Sequence, residues 1–359
     1  MNTDYKIDVM RSFSEEIITE EELRQIFDSN EHPIAYDGFE PSGIAPIHFG
    51  LQRSRNIKKM MSIGIRFKLV LADYFAFVNN KLEGDLEKIR VAGDYFVEVW
   101  KAAGIDVGKI EIIKSSEMMN NLDYWDTVLK AGKAITLNRV KRAITIMGRK
   151  EGEDVSASQL IYPVMQVADI FRLDVDICQL GMDQRKADIL AREVADKYGW
   201  KKPVAAHHPL ILGLAGMPKD IKKDDEAFVE YKMSKSNPKN AIYVHDSHAE
   251  IKEKISKAYC PEKIIAGNPL LDYVKNIIVD NTADPIEIKR LQKFGGDISF
   301  DSYSAMELAY AEGKLHPLDL KQFVADKLEE KIMPIREHFE KDRHARELYE
   351  QLKGFRITR

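Results

Sequence analysis

Short apolar runs alternate with longer stretches of helical periodicity over the first two-thirds of the chain. IAYDGF (34–39), FKLVLADYFAFV (67–78), KIEIIKSS (109–116) and VDICQLG (175–181) read as buried strands. Between them, 50–63, 85–103 and two segments across 122–148 space their apolar residues as helices do. In 85–103, Leu86, Ile89, Gly93, Phe96 and Trp100 fall on one helical face. Strands alternating with helices predict a parallel sheet covered on both faces. Such sheets bind ligands beyond the carboxyl ends of their strands. The strand signal then stops. HAEIKEKISKAYC, NPLLDYVKNIIVD, SYSAMELAYAEG and LDLKQFVADKLEEKIMPIREHFEK all carry helical spacing, which predicts an α/β domain over 1–244 and a separate, all-helical domain over 245–359. No internal repeat or low-complexity tract interrupts either.

Composition narrows the class without naming it. A 359-residue chain that is 44% hydrophobic and 31% charged can build a large core and is not disordered. A net charge of -4 excludes a globally basic nucleic-acid binder and leaves room for a local basic patch. The two cysteines, Cys178 and Cys260, fit no metal spacing and read as thiols in a reducing compartment. No structural metal is therefore expected. The N-terminus is charged throughout, with no apolar core of a signal peptide, and no apolar run reaches the ~20 residues that span a bilayer. A soluble, cytoplasmic protein without a membrane partner is the expectation.

Four stretches carry candidate chemistry. GFEPSGIAPIHFG (38–50) links the first strand to a helix, with three glycines and His48 before the helix start. It is either an ordinary loop or a phosphate site at a helix N-terminus. QLIYPVMQVADIFRL (159–173) places Tyr162, Gln166 and Asp169 in one polar stripe on a mostly apolar helix. These groups must satisfy one another or face a ligand, because unpaired polar groups are costly to bury. QLGMDQRKAD (179–188) ends a strand where an acidic residue can bond ribose hydroxyls. FVEYKMSKSNPK (228–239) concentrates lysine and serine in what is either a solvated turn or a mobile cationic loop. The charged segment 217–231 before it reads as exposed and mobile.

In this order the stretches resemble a class I aminoacyl-tRNA synthetase, PIHFG standing for the first signature of that class and KMSKS (232–236) matching the second. The resemblance is strongest to tyrosyl-tRNA synthetases of the archaeal and eukaryotic type, over about residues 15–340. It runs through GFEPSG (38–43), YPVMQVAD (162–169), GMDQRK (181–186), KFGGD (293–297) and HPLDLK (316–321). It implies a Rossmann-like parallel-sheet catalytic domain with an inserted helical connective segment at about 115–150, through which a homodimer forms. An all-helical anticodon-binding domain then follows. The implied reaction joins L-tyrosine and ATP into tyrosyl-adenylate, with Mg²⁺ accompanying ATP, and transfers tyrosine to tRNA(Tyr).

Residue by residue, the resemblance implies that Tyr36 and Asp169 hold the tyrosine hydroxyl and that Tyr162, Gln166 and Gln184 hold its ammonium group. Gly38, Gly50, Gly181, Asp183, Lys232, Ser234 and Lys235 bind ATP, with His48, Lys232 and Lys235 acting on the reacting phosphate. Arg185 meets the first acceptor-stem pair, C1–G72, while Phe294, His316 and Asp319 read the anticodon. The basic stretch NRVKRAITIMGRK (138–150) is expected to meet backbone phosphates. The chain departs from the family pattern at Leu51, which replaces a histidine of the first signature, and at Phe75, where archaeal members carry a histidine. A tryptophanyl-tRNA synthetase would share both signatures, yet an indole pocket has no use for the Tyr36–Asp169 pair.

Overall fold

The structure is a computed structural model. It describes residues 1–149, 152–218, 221, 228, 230–234, 237–279, 284–356 and 358, excluding the side chain of Phe294. Two compact units emerge, one formed by 1–43, 56–209 and 350–359, the other by 44–55 and 210–349. Packing thus groups 210–244 with the tail; the functional boundary expected at 244/245 is a separate matter.

The first unit is built on β1 (Glu16–Ile18), β2 (Ile34–Phe39), β3 (Arg66–Leu71), β4 (Glu111–Lys114), β5 (Ile177–Cys178) and β6 (Val204–His207). Their order in the sheet is β1-β6-β5-β2-β3-β4. All pairings are parallel except that of the edge strand β1, which runs antiparallel to β6. The parallel sheet expected from the alternating pattern is present. β1 and β6 carried no strand signal, β1 because three residues are too few to show a pattern and β6 because two of its four residues are alanine.

The apolar run 67–78, predicted as one strand, divides. β3 ends at Leu71 and Asp73–Val78 is a helix. An apolar run does not by itself distinguish a buried strand from a buried helix. Here Asp73 settles it, accepting from Ser115 Oγ at 2.7 Å and from Ser116 N at 2.9 Å while occupying the helix's first turn. The 109–116 run splits likewise, into β4 and a helix Ser115–Met119. Against the sheet, Tyr36, Val70 and Phe75 share a core with Tyr124, Val128, Tyr162, Val167, Ile170 and Val194 from three helices. These are Leu122–Ala134, Ala157–Arg172 and Arg185–Tyr198.

The second unit is mainly helical, through His248–Lys257, Tyr303–Glu312 and the long Pro317–Lys341. It is not all-helical. β7 (Ile286–Ile288) and β8 (Ile298–Phe300) form an antiparallel hairpin. Three-residue strands are too short for a period of two to show in sequence. Of the 217–231 segment, 219–220, 222–227 and 229 lie outside the described residues. Met217 and Phe228, expected to be exposed, are buried with Leu212.

Candidate active site

Sheet order reverses at β2, with β3 and β4 on one side and β5 and β6 on the other. A doubly wound sheet opens a crevice at such a point, beyond the carboxyl ends of the two central strands. Gly38 and Glu40 lie at the end of β2, and Gly181, Asp183 and Gln184 follow β5. The helix Ala157–Arg172, fixed at its start by a capping box between Ser156 and Gln159, carries the polar stripe.

All three stripe residues are buried: Tyr162, Gln166 and Asp169. Tyr162 Oη donates to Glu40 Oε1 at 2.7 Å, and Gln166 Nε2 to Gln184 Oε1 at 3.2 Å. Gln184 in turn donates to the Ile146 carbonyl at 3.0 Å, which fixes the orientation of its amide. Asp169 Oδ1 accepts from Tyr124 Oη at 2.6 Å. Burial pushes the Asp169 carboxyl up to about 8, and the Tyr124 hydrogen bond opposes the rise. Tyr36 is 2% exposed, and its hydroxyl has no hydrogen-bond partner among the described residues. Burial drives its phenol well up, with Cys178, Asp188 and Asp169 adding to the rise and the Gln166 amide opposing it. The expected pocket residues Tyr36, Tyr162, Gln166, Asp169 and Gln184 are thus brought together. Phe75 closes one wall, its ring edge-on to Tyr162 with centroids 4.7 Å apart.

Three members of this cluster escaped sequence reasoning. Tyr124 sits at an apolar helical position and reads as core. Asn79 gives no local signal, yet its amide donates to both Glu40 oxygens at 3.0 Å. Glu40 lies inside GFEPSG, and an acidic residue directly after a buried strand was a usable signal. Lys81 completes its surroundings at 3.7 Å.

His48 and Lys232 fall in the second unit. His48 opens a π-helical turn, His48–Arg53, where Gly50 N donates to the Pro46 carbonyl at 3.1 Å and Gly50 O accepts from Ser54 Oγ at 2.7 Å. The strand-like segment before it pairs with residues after KMSKS: Ile47 N donates to Ile242 O at 2.9 Å and Val244 N to Ala45 O at 3.0 Å. Lys232 pairs antiparallel with Leu212, and Met233, which follows it, is buried with its N–H on the Ile211 carbonyl at 2.7 Å. Leu51, in place of the signature histidine, packs against this unit's core. Lys235 and the side chain of Phe294 lie outside the described residues.

The KFGGD stretch forms the tip of the β7–β8 hairpin, where Gly295 and Gly296 adopt φ of 97° and 73°, a region that favours glycine. Arg290, unforeseen in sequence, organises it. Its Nε donates to the Gly296 carbonyl at 2.8 Å, and its Nη1 lies 4.0 Å from Asp319. His316 caps the Pro317–Lys341 helix through a 3.1 Å bond from Leu318 N, leaving Asp319 in the first turn. Arg185 makes an ion pair with Glu16 at 2.8 Å.

A family model described as tRNA synthetases class I (W and Y) matches residues 28–332. The chain belongs to this family. Among individual class I synthetases, tyrosine–tRNA ligase 1, cytoplasmic, of Arabidopsis thaliana is 45% identical over 358 residues, covering 99% of this chain and 89% of that protein. A tyrosine–tRNA ligase of Saccharolobus solfataricus is 43% identical, over 98% of this chain and 97% of that one. The crystal structure of tyrosyl-tRNA synthetase from Pyrococcus horikoshii complexed with L-tyrosine matches with a TM-score of 0.90 and 39% identity. That match covers 98% of this chain and 100% of that one. Within the class I synthetases the chain falls among the tyrosine–tRNA ligases, as its motifs implied, and the ATP dependence of the class comes with that membership. No described helix is long and apolar enough to cross a membrane.

Proposed function

We propose that this class I synthetase activates L-tyrosine with ATP to tyrosyl-adenylate, releasing pyrophosphate, and then esterifies tRNA(Tyr). One observation carries the reading: Tyr36 and Asp169 put a buried phenol, whose hydroxyl has no hydrogen-bond partner among the described residues, beside a buried carboxyl. A substrate hydroxyl supplies what both groups need. Gln166, Gln184 and Tyr162 are assigned to the substrate ammonium group, with Glu40 behind Tyr162 adding negative charge. Gly38, Gly50, Gly181, Asp183 and Ser234 are assigned to ATP, Asp183 to its ribose. His48, Lys232 and Lys235 neutralise the phosphates as the tyrosine carboxylate attacks the α-phosphate, an electrostatic role that needs no protein nucleophile. Mg²⁺ is assigned to the nucleotide's phosphates. Among the described residues no group of three or more His, Cys, Asp and Glu is arranged to hold a metal.

For the RNA, Arg185 is assigned to the acceptor-stem end and Phe294, His316 and Asp319 to the anticodon. Residues 1–244 would then serve catalysis and 245–359 anticodon reading. A homodimer through 115–150 is supported by Leu122, Trp125 and Leu129, spaced on one helical face and 86%, 42% and 73% exposed. A cytoplasmic location is supported by the Arabidopsis relative's name. Amino-acid-dependent ATP–pyrophosphate exchange tests the core of the proposal. Tyrosine should support exchange where tryptophan and phenylalanine do not, and equal rates with all three would overturn it.

A further inference from the structure

An ion chain at the edge of the sheet runs from Arg185 to Glu16, His207 and Asp188, three residues with no role in the reaction described above. Glu16 on β1 and His207 on β6 are register partners. His207 is 0% exposed and held at both ring nitrogens, Nδ1 lying 3.0 Å from Glu16 Oε2 and Nε2 2.9 Å from Asp188 Oδ2. Asp188, also fully buried, lies on the helix that Arg185 begins. Arg185 returns to Glu16 through Nε, at 3.1 and 2.8 Å from the two carboxylate oxygens, and through Nη2 at 3.0 Å. Charges therefore alternate along Arg185, Glu16, His207 and Asp188, from an arginine side chain 45% exposed to groups with no exposure.

A ring set between two carboxylates must donate from both nitrogens, which only the imidazolium does. Burial works against that charge, but the hydrogen bonds to Asp188 and Glu16 carry His207 up to about 9. The His207 hydrogen bond, with Arg185 behind it, brings Glu16 down to about 2 against the effect of its burial. Glu16 is thus a fixed anion with a fixed orientation. It takes the Nε–Nη2 edge of the Arg185 guanidinium, and Nη1 has no partner among the described residues. The Nη1–Nη2 edge remains available, a planar fork that suits the O6 and N7 atoms of a guanine or two phosphate oxygens.

We propose that Glu16 and His207 are positioning residues for Arg185, fixing its guanidinium plane so that the Nη1–Nη2 edge meets the first base pair of the tRNA acceptor stem. The inference rests on the assignment of Arg185 to that stem. Ordering a long side chain before the RNA arrives removes that cost from the binding step.

The test compares wild type with Glu16→Gln, His207→Gln and Arg185→Gln. Steady-state aminoacylation is measured on transcripts that begin with C1–G72 or G1–C72, and tyrosine-dependent ATP–pyrophosphate exchange is measured without RNA. Glu16→Gln should raise KM for the C1–G72 transcript about tenfold with little change in kcat, since charge-assisted bidentate pairs are the strong ones. It should also narrow the preference between the two transcripts and leave exchange unchanged. His207→Gln should shift the same quantities in the same direction. Because Glu16 is partly exposed, its variant decides the matter even if the His207 variant does not fold. A fall in KM for Glu16→Gln would show that Glu16 competes with the RNA, and a parallel loss of exchange would show a general folding role; either overturns the inference. Unchanged aminoacylation in Glu16→Gln, with Arg185→Gln impaired, overturns the inference alone. If Arg185→Gln itself leaves KM and preference unchanged, the acceptor-stem assignment fails and the inference with it.

Discussion

Tyr36 and Asp169 are poor choices for a protein that needs only a core. The Tyr36 hydroxyl is unmatched among the described residues, at a cost of roughly 1–3 kcal/mol, and Asp169 buries a carboxyl whose Tyr124 bond opposes the effect of burial; leucine would fill either position without those penalties. The proposed contact with a phenolic substrate would account for their presence. A site that must leave such groups unpaired rejects phenylalanine strongly; the general example of this effect is tyrosyl-tRNA synthetase itself, with discrimination of ~10⁵. Tyr36→Leu combined with Asp169→Ala should therefore cut kcat/KM for tyrosine steeply and for phenylalanine far less. An unchanged ratio of the two would remove these residues from hydroxyl recognition.

Asp169 also predicts a pH signature. Its folded value of about 8 lies above the ordinary carboxylate range, so the folded state binds the proton more tightly than the unfolded chain. The associated stability is present below ~4 and is lost as pH rises to about 8. Thermal unfolding of wild type should weaken across that window relative to Asp169→Asn, which cannot titrate. Tyr124→Phe, which removes the group opposing the rise, should extend the window upward. A pH-independent difference between wild type and Asp169→Asn would contradict the assignment. Asp169 was legible because the polar stripe broke an apolar pattern, and Tyr36 only through the family resemblance; Tyr124, which tunes Asp169, obeys the pattern and was invisible.

Among the elements, length decided what could be read. β2 and the helix Leu86–Ala102 stand where their periodicity placed them. The two-residue β5 lies inside the apolar run 175–181 that reads as a strand, whereas the strands of the β7–β8 hairpin, three residues each, are fixed only by pairing with one another, information that no local window contains. The hairpin matters for the proposed RNA contact, since Arg290 ties its tip to the helix bearing Asp319. Asp319→Ala should lower aminoacylation kcat/KM while ATP–pyrophosphate exchange stays near normal. A hydrogen bond from a base to a charged carboxylate is worth roughly 1.5–3 kcal/mol, about tenfold or more in rate. Arg290→Ala should give a weaker version of the same split, because it removes the support and leaves the carboxylate. Loss of exchange in either variant would mean that the hairpin serves folding alone.

On the scale of the whole chain, the residues assigned to tyrosine lie in one compact unit, while His48, Lys232 and Asp319 lie in the other. Lys232→Ala should reduce the rate of adenylate formation by ~10²-fold, the usual effect of removing one transition-state donor. Tyrosine affinity should hardly move, because ground-state recognition resides elsewhere. Pre-steady-state fluorescence or quench-flow measurements separate the two, and an equal loss of both would reduce the loop to a structural part.

The immediate chain neighbours of those three residues, Ile47, Met233 and Leu320, all belong to a single hydrophobic core. Robustness and turnover therefore draw on the same packing. A thermostabilising substitution inside this core would shift the platforms under His48, Lys232 and Asp319 at once. Such substitutions should seldom be silent in a turnover assay, whereas equally stabilising changes on the exposed face of the Pro317–Lys341 helix should be. For anyone adapting this ligase to heat or to an altered tRNA, the outer face of that helix is where stability can be gained without retuning the chemistry.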